Sequence, residues 1–68
     1  MSSSSSSNDD SLFHHCKDNK PAEALELMRS SSPETLRALL AYRGYIHSTP
    51  LHLASNRGQL EVVKEMLK

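Results

Sequence analysis

Three adjacent residues of metal-ligand type, His14, His15 and Cys16, are the one cluster in the sequence that suggests metal chemistry. A zinc site needs three or four ligands, and ligand pairs are commonly separated by about two to four residues. Adjacent residues on a helix point about 100° apart, so these three side chains cannot close around one ion. His14 and Asp18 share a helix face, but two ligands do not complete a site. We therefore expect no bound metal, with Cys16 packed as a small core residue.

Nucleophilic catalysis requires a nucleophile, a base and an orienting group held in a rigid pocket. The sequence contains Cys16, His52 and several carboxylates, but it has no glycine-rich turn that would present a nucleophile. It has only two glycines, so a phosphate-binding loop of the P-loop type is also excluded. We expect that the chain is not an enzyme and that it uses no cofactor.

The charge balance argues against a nucleic-acid partner. Lys and Arg together number 8, Asp and Glu also number 8, and the net charge is zero. Binding to a phosphate backbone needs several basic side chains on one surface, whereas the arginines here are spread along the chain among acidic residues. Tyr42, Arg43 and Tyr45 form a small aromatic and basic group, which we attribute to packing and solubility.

The sequence predicts an intracellular protein, either cytoplasmic or nuclear. It has no run of 18 apolar residues that would predict a membrane-spanning helix, so we expect no membrane partner. The N-terminus lacks the basic and apolar regions of a signal peptide. Cys16 is the single cysteine, which excludes an intramolecular disulfide and fits a reducing compartment.

The elements that position these residues are predicted to be short helices. Residues 1–10 are mostly serine, asparagine and aspartate, and we expect a disordered tail there because they bury almost no apolar area. Pro21, Pro33 and Pro50 each precede a helical apolar pattern, and proline is well tolerated at the first helical position. Ser32 and Thr49 are suitable N-caps, and Asp9 or Asp10 could cap an earlier helix. The predicted helices span residues 11–18, 21–30, 33–43, 50–56 and 60–68.

The fold class is therefore all-α. No segment alternates between apolar and polar residues with a period of two, as a half-buried strand would. Helices this short are not stable alone in water and must pack side by side, which is the organisation of helical repeat proteins.

One segment carries a recognisable pattern. From Thr49 to Lys68 the sequence reads Thr-Pro-Leu-His-Leu-Ala-Ser-Asn-Arg-Gly-Gln-Leu-Glu-Val-Val-Lys-Glu-Met-Leu-Lys. It closely resembles the ankyrin repeat, a helix-turn-helix unit that begins with Thr-Pro-Leu-His and has a glycine in its middle, followed by a Leu-Glu-Val-Val-like stretch. The resemblance covers 20 of the 68 residues.

The motif residues have separate structural tasks. Thr49 is predicted to cap the inner helix, and Pro50 fixes its first φ angle. His52 is at the third helical position, where its ring is expected to reach the Thr49 hydroxyl in a variant of the capping box. Gly58 is expected to take the left-handed conformation that ends the inner helix. The positions expected to pack inward are Leu51, Leu53 and Ala54.

Upstream of this segment two alignments are open. In the first, residues 36–44 form the outer helix of a preceding repeat that ends at its glycine, and the projecting hairpin before Thr49 is shortened. In the second, residues 12–16 form an inner helix and residues 22–28 an outer one, with Lys20 where glycine is expected. Residues 33–44 would then be an insertion.

The predicted organisation has three parts. Residues 1–10 are the tail, residues 11–48 a degenerate or capping ankyrin-like region, and residues 49–68 an ankyrin repeat truncated at its C-terminal end. About two helix-turn-helix units result, although repeat stacks usually need at least about three. We therefore expect some apolar residues of the last repeat to remain exposed, with the chain monomeric or weakly self-associating through that face. The candidates for exposure are Leu53, Leu60, Val63 and Leu67.

The resemblance implies a protein–protein interaction module of the adaptor or scaffold kind, without catalysis. The partner would be an unidentified protein, or further ankyrin repeats if the chain is the N-terminal structural part of a longer array, which is the alternative function. In ankyrin repeats, binding uses the hairpin tips and the concave surface of the inner helices. The corresponding residues here are Tyr45, Ile46, His47, Ser48, Ser55, Asn56 and Arg57.

Overall fold

A computed structural model of the chain describes residues 10–44 and 47–68, and it contains five helices within those ranges. No strand is found in the described part of the chain, so the prediction of an all-α helical repeat fold is confirmed there. The predicted tail lies outside the described residues except for Asp10. The helices are α1 (Ser11–Lys17), α2 (Pro21–Ser30), α3 (Pro33–Ala41), α4 (Pro50–Arg57) and α5 (Leu60–Met66).

All five helices begin where the sequence predicted, and α2 also ends there. The largest differences, of two residues each, are at the ends of α5, which stops at Met66 rather than Lys68, and of α3, which stops at Ala41 rather than Arg43. Tyr42 leaves the helix with extended backbone angles (φ −60°, ψ 137°), and its ring lies against that of Phe13 with a centroid distance of 5.5 Å. α3 therefore ends at the point where Tyr42 turns out of the helix and packs against Phe13.

The N-terminal caps differ from one helix to the next. The Thr49 hydroxyl accepts a hydrogen bond from the backbone N–H of His52 at 3.3 Å, so the predicted cap of α4 is present. Ser32 occupies the N-cap position of α3, but its side chain makes no capping hydrogen bond, and that prediction was wrong. Asp10 stands at the N-cap of α1, where its carboxylate pairs with the His14 ring rather than with a backbone amide.

The turn between α1 and α2 and the turn between α4 and α5 have the same hydrogen-bond pattern. Gly58 is left-handed (φ 76°), as predicted, and the N–H of Gln59 donates to the Ala54 carbonyl. Between α1 and α2 the left-handed residue is Asn19 (φ 62°), and the N–H of Lys20 donates to the carbonyl of His15. Both patterns close the C-terminal end of a helix with a six-residue ring, as in a Schellman motif. The second alignment placed Lys20 where glycine is expected, but the left-handed residue is Asn19, one position earlier.

The helices stack in two layers. α1 packs against α2 and α4 packs against α5, and we call these the first and second helix pairs. The first pair lies on the second with α1 against α4 and α2 against α5. This pairing agrees with the second of the two alignments. α3 lies in the connection between the pairs and touches both α1 and α4.

Four buried residues of each pair are related by a constant spacing of 38 positions. Such a repeat is expected when equivalent side chains of stacked units form one continuous core. Cys16 of α1 and Ala54 of α4, both fully buried, are one of these equivalences, and the small size of both residues allows the helices to approach closely. The equivalent pairs are Leu12 with Pro50, Cys16 with Ala54, Ala24 with Val62, and Met28 with Met66.

Gly44 has a packing role and does not end a helix. It is buried, and a Cβ atom there would lie closer than 3.0 Å to the ring of Phe13, which is itself only 1 % exposed. The first alignment, which placed Gly44 as the glycine that ends a helix, therefore assigned it the wrong task. The residue is small because an aromatic ring of α1 occupies the adjoining space.

Candidate partner-binding surface

The solvent-facing side of α4 is polar. His52, Ser55 and Asn56 are all exposed, and their spacing of three and four residues places them on one face of the helix. The opposite side of α4 carries the buried Pro50 and Ala54. Two of the three exposed residues, Ser55 and Asn56, were predicted as candidates for partner binding.

His52 belongs to this surface, although sequence reasoning assigned it to capping. The hydrogen bond to the Thr49 hydroxyl comes from the His52 backbone N–H, so the predicted bond from the ring is not the one observed. The residue is exposed, which leaves its imidazole accessible to a partner. Its spacing from Ser55 and Asn56 was the signal that could have identified it.

α1 presents an equivalent set of polar residues. His14, Lys17 and Asp18 are exposed and have the same three- and four-residue spacing. Each precedes its counterpart on α4 by 38 positions, the spacing that also relates the buried residues. Because α1 lies beside α4, the two sets form one surface, which we call the inner-helix face. The imidazole of His14 pairs with the Asp10 carboxylate at 3.1 Å at the edge of this face.

Two backbone hydrogen bonds link Gly44 to the residues before α4. The N–H of His47 donates to the Gly44 carbonyl at 2.8 Å, and the N–H of Gly44 donates to the Ser48 carbonyl at 3.0 Å. His47 is exposed and left-handed (φ 59°), and Ser48 is partly buried. These two hydrogen bonds join Gly44 to the residues that directly precede α4. The candidates Tyr45 and Ile46 lie outside the described residues.

Arg57 stands at the other end of α4. It is the last residue of the helix and is exposed. α4 has eight residues and is therefore about 12 Å long, so Arg57 and His47 flank the inner-helix face at opposite ends. The predicted contact residues that the structure describes thus lie around the polar side of α4 and are not confined to one end of it.

Gln59 fixes the position of the second pair relative to α1, and sequence reasoning did not identify it. Its side chain is 7 % exposed, and Nε2 donates to the Cys16 carbonyl at 3.3 Å and to Asn19 Oδ1 at 3.0 Å. The amide therefore joins the turn of the second pair to the C-terminal end of α1. Its Oε1 is buried without a hydrogen-bond partner in the structure. A burial this complete could not be inferred from a glutamine in a polar turn.

The chemistry available at this surface is recognition through polar and charged contacts. Burial raises the pKa of the Cys16 thiol from 9.0 to about 11, so the thiol is protonated and unreactive at neutral pH. Among residues 10–44 and 47–68, no three His, Cys, Asp or Glu side chains are grouped in a way that could hold a metal ion. None of the helices described is both long and apolar enough to cross a membrane.

The fold and the surface define a stacked helical-repeat protein with a polar inner face. The family model of the ankyrin repeat matches residues 47–68, which include His47 and all of α4 and α5. Over these residues the chain is similar to the ankyrin repeat, and the resemblance seen in the sequence is confirmed there. Comparison with curated proteins and with solved structures gave no match.

Proposed function

We propose that this protein is a protein-interaction module that binds a folded protein partner through the inner-helix face and acts without catalysis. Ankyrin repeats in general mediate contacts between proteins, which supports this class of function. The contact surface comprises the exposed residues of α1 and α4, among them Arg57, together with His47 and Ser48 before α4. The surface is polar and carries both acidic and basic side chains, which suits a partner with mixed charges and hydrogen-bonding groups.

The observation that carries this proposal is the continuity of the inner-helix face across both helix pairs. His14 and Lys17 on α1, Asp18 directly after it, and their counterparts on α4 are exposed, and the two helices pack side by side. A surface made by two stacked helices is larger and more rigid than a single exposed helix. Rigid presentation favours binding because little conformational freedom is lost on association.

Reversal of one charge at this surface tests the proposal. Arg57→Glu changes an exposed residue that flanks the inner-helix face, whereas Arg37→Glu changes an exposed residue of α3 and is the matched control. Proximity labelling in cells should identify proteins that the wild type and Arg37→Glu enrich and that Arg57→Glu loses. The direct affinity of such a protein for Arg57→Glu should then be at least about tenfold weaker. The proposal would be contradicted if the wild type, Arg37→Glu and Arg57→Glu enriched the same partners equally and bound them with equal affinity.

A second candidate function is that of a structural first unit on which further ankyrin repeats stack. It is favoured by Leu60 and Leu67 of the second pair, which are 67 % and 69 % exposed. Under this alternative, charge reversal at Arg57 has little effect on partners. Circular dichroism during heating, combined with light scattering, discriminates between the two. A sigmoidal melt of a helical monomer favours the complete module, and a poorly folded chain favours the structural unit.

A further inference from the structure

Three consecutive serines lead from the end of α2 to the start of α3, and their side chains are in different situations. Ser30 is the last helical residue of α2. Ser31 has extended backbone angles (φ −87°, ψ 149°), but its hydroxyl donates to the Leu27 carbonyl at 2.7 Å. Ser32 is also extended (φ −67°, ψ 157°), is exposed, and makes no capping hydrogen bond. Of the three serines, Ser32 alone combines an extended backbone with an exposed hydroxyl that is not used in a local hydrogen bond.

The residues around Ser32 have a pattern that protein kinases recognise. Arg29 lies three positions before Ser32, and Pro33 directly follows it. A proline-directed kinase selects a hydroxyl whose next residue has no backbone N–H, which is the property of proline. A guanidinium three positions earlier is a charged group that a carboxylate of a kinase can bind. Arg29 and Pro33 are both exposed, so both recognition elements are accessible.

We propose that Ser32 is a phosphate-acceptor site for a proline-directed protein kinase that uses ATP. In the reaction, Ser32 Oγ forms a bond to the γ-phosphorus of ATP. The bond from that phosphorus to the oxygen bridging it to the β-phosphate breaks, and ADP leaves with the bridging oxygen. The hydroxyl proton passes to a base of the kinase, and a phosphoserine with a charge of about −1.5 to −2 remains. Ser32 is not part of the inner-helix face, so the site does not depend on the proposed function.

A kinase binds its acceptor in an extended segment, so the first turn of α3 must open. Residues 33–35 are all exposed, and the first fully buried residue of the helix is Leu39. The bond that must break first joins the Leu36 N–H to the Ser32 carbonyl at 2.7 Å. Local opening costs little free energy where few buried contacts are lost, and the start of α3 meets that condition.

Thr49 provides a comparison within the same chain. It is the one other hydroxyl residue of the sequence that is followed by a proline. Its hydroxyl accepts the His52 amide, and Pro50 is fully buried. Opening the first turn of α4 would break the cap and remove Pro50 from the core. We therefore expect Thr49 to be a poor acceptor in the folded protein although the following residue is the same.

Phosphorylation rates of the folded chain test the proposal directly. The full chain is incubated with a purified proline-directed kinase and magnesium ATP, and each site is quantified by mass spectrometry. Synthetic peptides of residues 27–38 and 44–55 give the rate of each site without the fold. Ser32 in the folded chain should keep at least about a third of its peptide rate, whereas Thr49 should fall at least about tenfold below its own peptide.

Three variants identify the acceptor. Ser32→Ala should lose the modification, and Pro33→Ala should slow it at least about tenfold while keeping the hydroxyl. Ser31→Ala is the matched control and should be phosphorylated as the wild type. Absence of phosphate at Ser32 of the folded chain, or equal suppression at Ser32 and Thr49, would overturn the proposal. Incorporation that is unchanged in Ser32→Ala would place the acceptor elsewhere and would also overturn it.

The phosphate should also supply the cap that α3 lacks. Ser32 is the N-cap residue of this nine-residue helix. A phosphate there can accept hydrogen bonds from first-turn amides and is favoured by the helix dipole, although the nearby carboxylate of Glu34 reduces the gain. The phosphorylated chain should melt about 2–6 °C above the unmodified chain. Ser32→Ala carried through the same kinase reaction should show no shift, and an unchanged or lower melting temperature of the phosphorylated wild type would overturn the capping role.

Discussion

The first and second helix pairs reach the same arrangement from different sequences. The second pair contains the segment that matches the ankyrin repeat, and the first pair has almost none of that pattern, yet both form two packed helices joined by a left-handed turn. Four buried residues of the first pair have buried counterparts 38 positions later in the second pair, whereas the cap and turn residues of the two pairs differ. The comparison indicates that the apolar pattern determines how the pairs stack. The recognisable motif residues mainly stabilise the ends of the helices.

The largest expected loss of stability comes from removing a buried side chain of the first pair. Phe13 is 1 % exposed, and its counterpart 38 residues later, Leu51, is only partly buried. Phe13→Ala should therefore cost about 3–5 kcal/mol, enough to unfold a small domain, and Leu51→Ala only about 1–2 kcal/mol. Urea denaturation followed by circular dichroism measures both. A larger cost at Leu51 would show that the motif-bearing pair dominates the core.

The buried thiol of the first pair should make stability fall in alkali. The pKa of Cys16 is raised from 9.0 to about 11 by burial, so the folded state keeps its proton at a pH where the unfolded chain loses it. The associated stability is complete below pH 9 and is lost as pH rises towards about 11, by roughly 2–3 kcal/mol. Unfolding measured at several pH values tests this.

Cys16→Ala is the matched variant, because alanine is the residue at the equivalent buried position of the second pair, Ala54. Its stability should depend less on pH than that of the wild type over the same interval. If both proteins lose stability equally between pH 9 and 11, the alkaline effect arises from other groups and the prediction is wrong.

Alanine substitutions in the two turns should have unequal effects. At Gly58 the space around an added Cβ is open, so Gly58→Ala should cost about 1 kcal/mol from the left-handed backbone alone. At Asn19 the side chain also accepts the hydrogen bond from Gln59, so Asn19→Ala should cost about 2 kcal/mol. Asn19→Gly, which relieves the backbone but loses the same bond, should lie between the wild type and Asn19→Ala. Equal costs at the two turns would remove the role assigned to the Asn19 side chain.

The smallest effects are expected at the caps. Thr49→Ala removes a hydroxyl that accepts the His52 amide and should cost about 1 kcal/mol. Ser32→Ala removes a hydroxyl that makes no capping bond and should cost less than about 0.5 kcal/mol. Melting temperatures of both variants, read against the wild type, measure the difference. A Ser32→Ala cost equal to that of Thr49→Ala would mean that α3 is also capped in solution.

The sequence was sufficient to predict the helices and the part of the candidate surface that lies on α4. Proline positions located the starts of α2, α3 and α4, because the first-turn constraints on backbone N–H groups are local. The exposure of Ser55, Asn56 and Arg57 followed from the repeat pattern in the same way. These inferences needed no knowledge of contacts between distant parts of the chain.

Other features depend on contacts between distant residues and could not be predicted. The burial of Gln59 follows from α1 packing beside its turn, 40 residues away along the chain from its partner Asn19. The packing role of Gly44 depends on the Phe13 ring. The choice between the two alignments was open for the same reason, because several apolar patterns of similar length precede Thr49.

The measurement that most directly tests the stacking of the two pairs is a nuclear Overhauser spectrum of the labelled protein. The stacked arrangement predicts cross-peaks from the side-chain amide protons of Gln59 to Asn19 and from the methyl group of Ala54 to side chains of α1. Cross-peaks within the second pair serve as the internal standard. Strong cross-peaks between α4 and α5, with none from either helix to α1 or α2, would contradict the account.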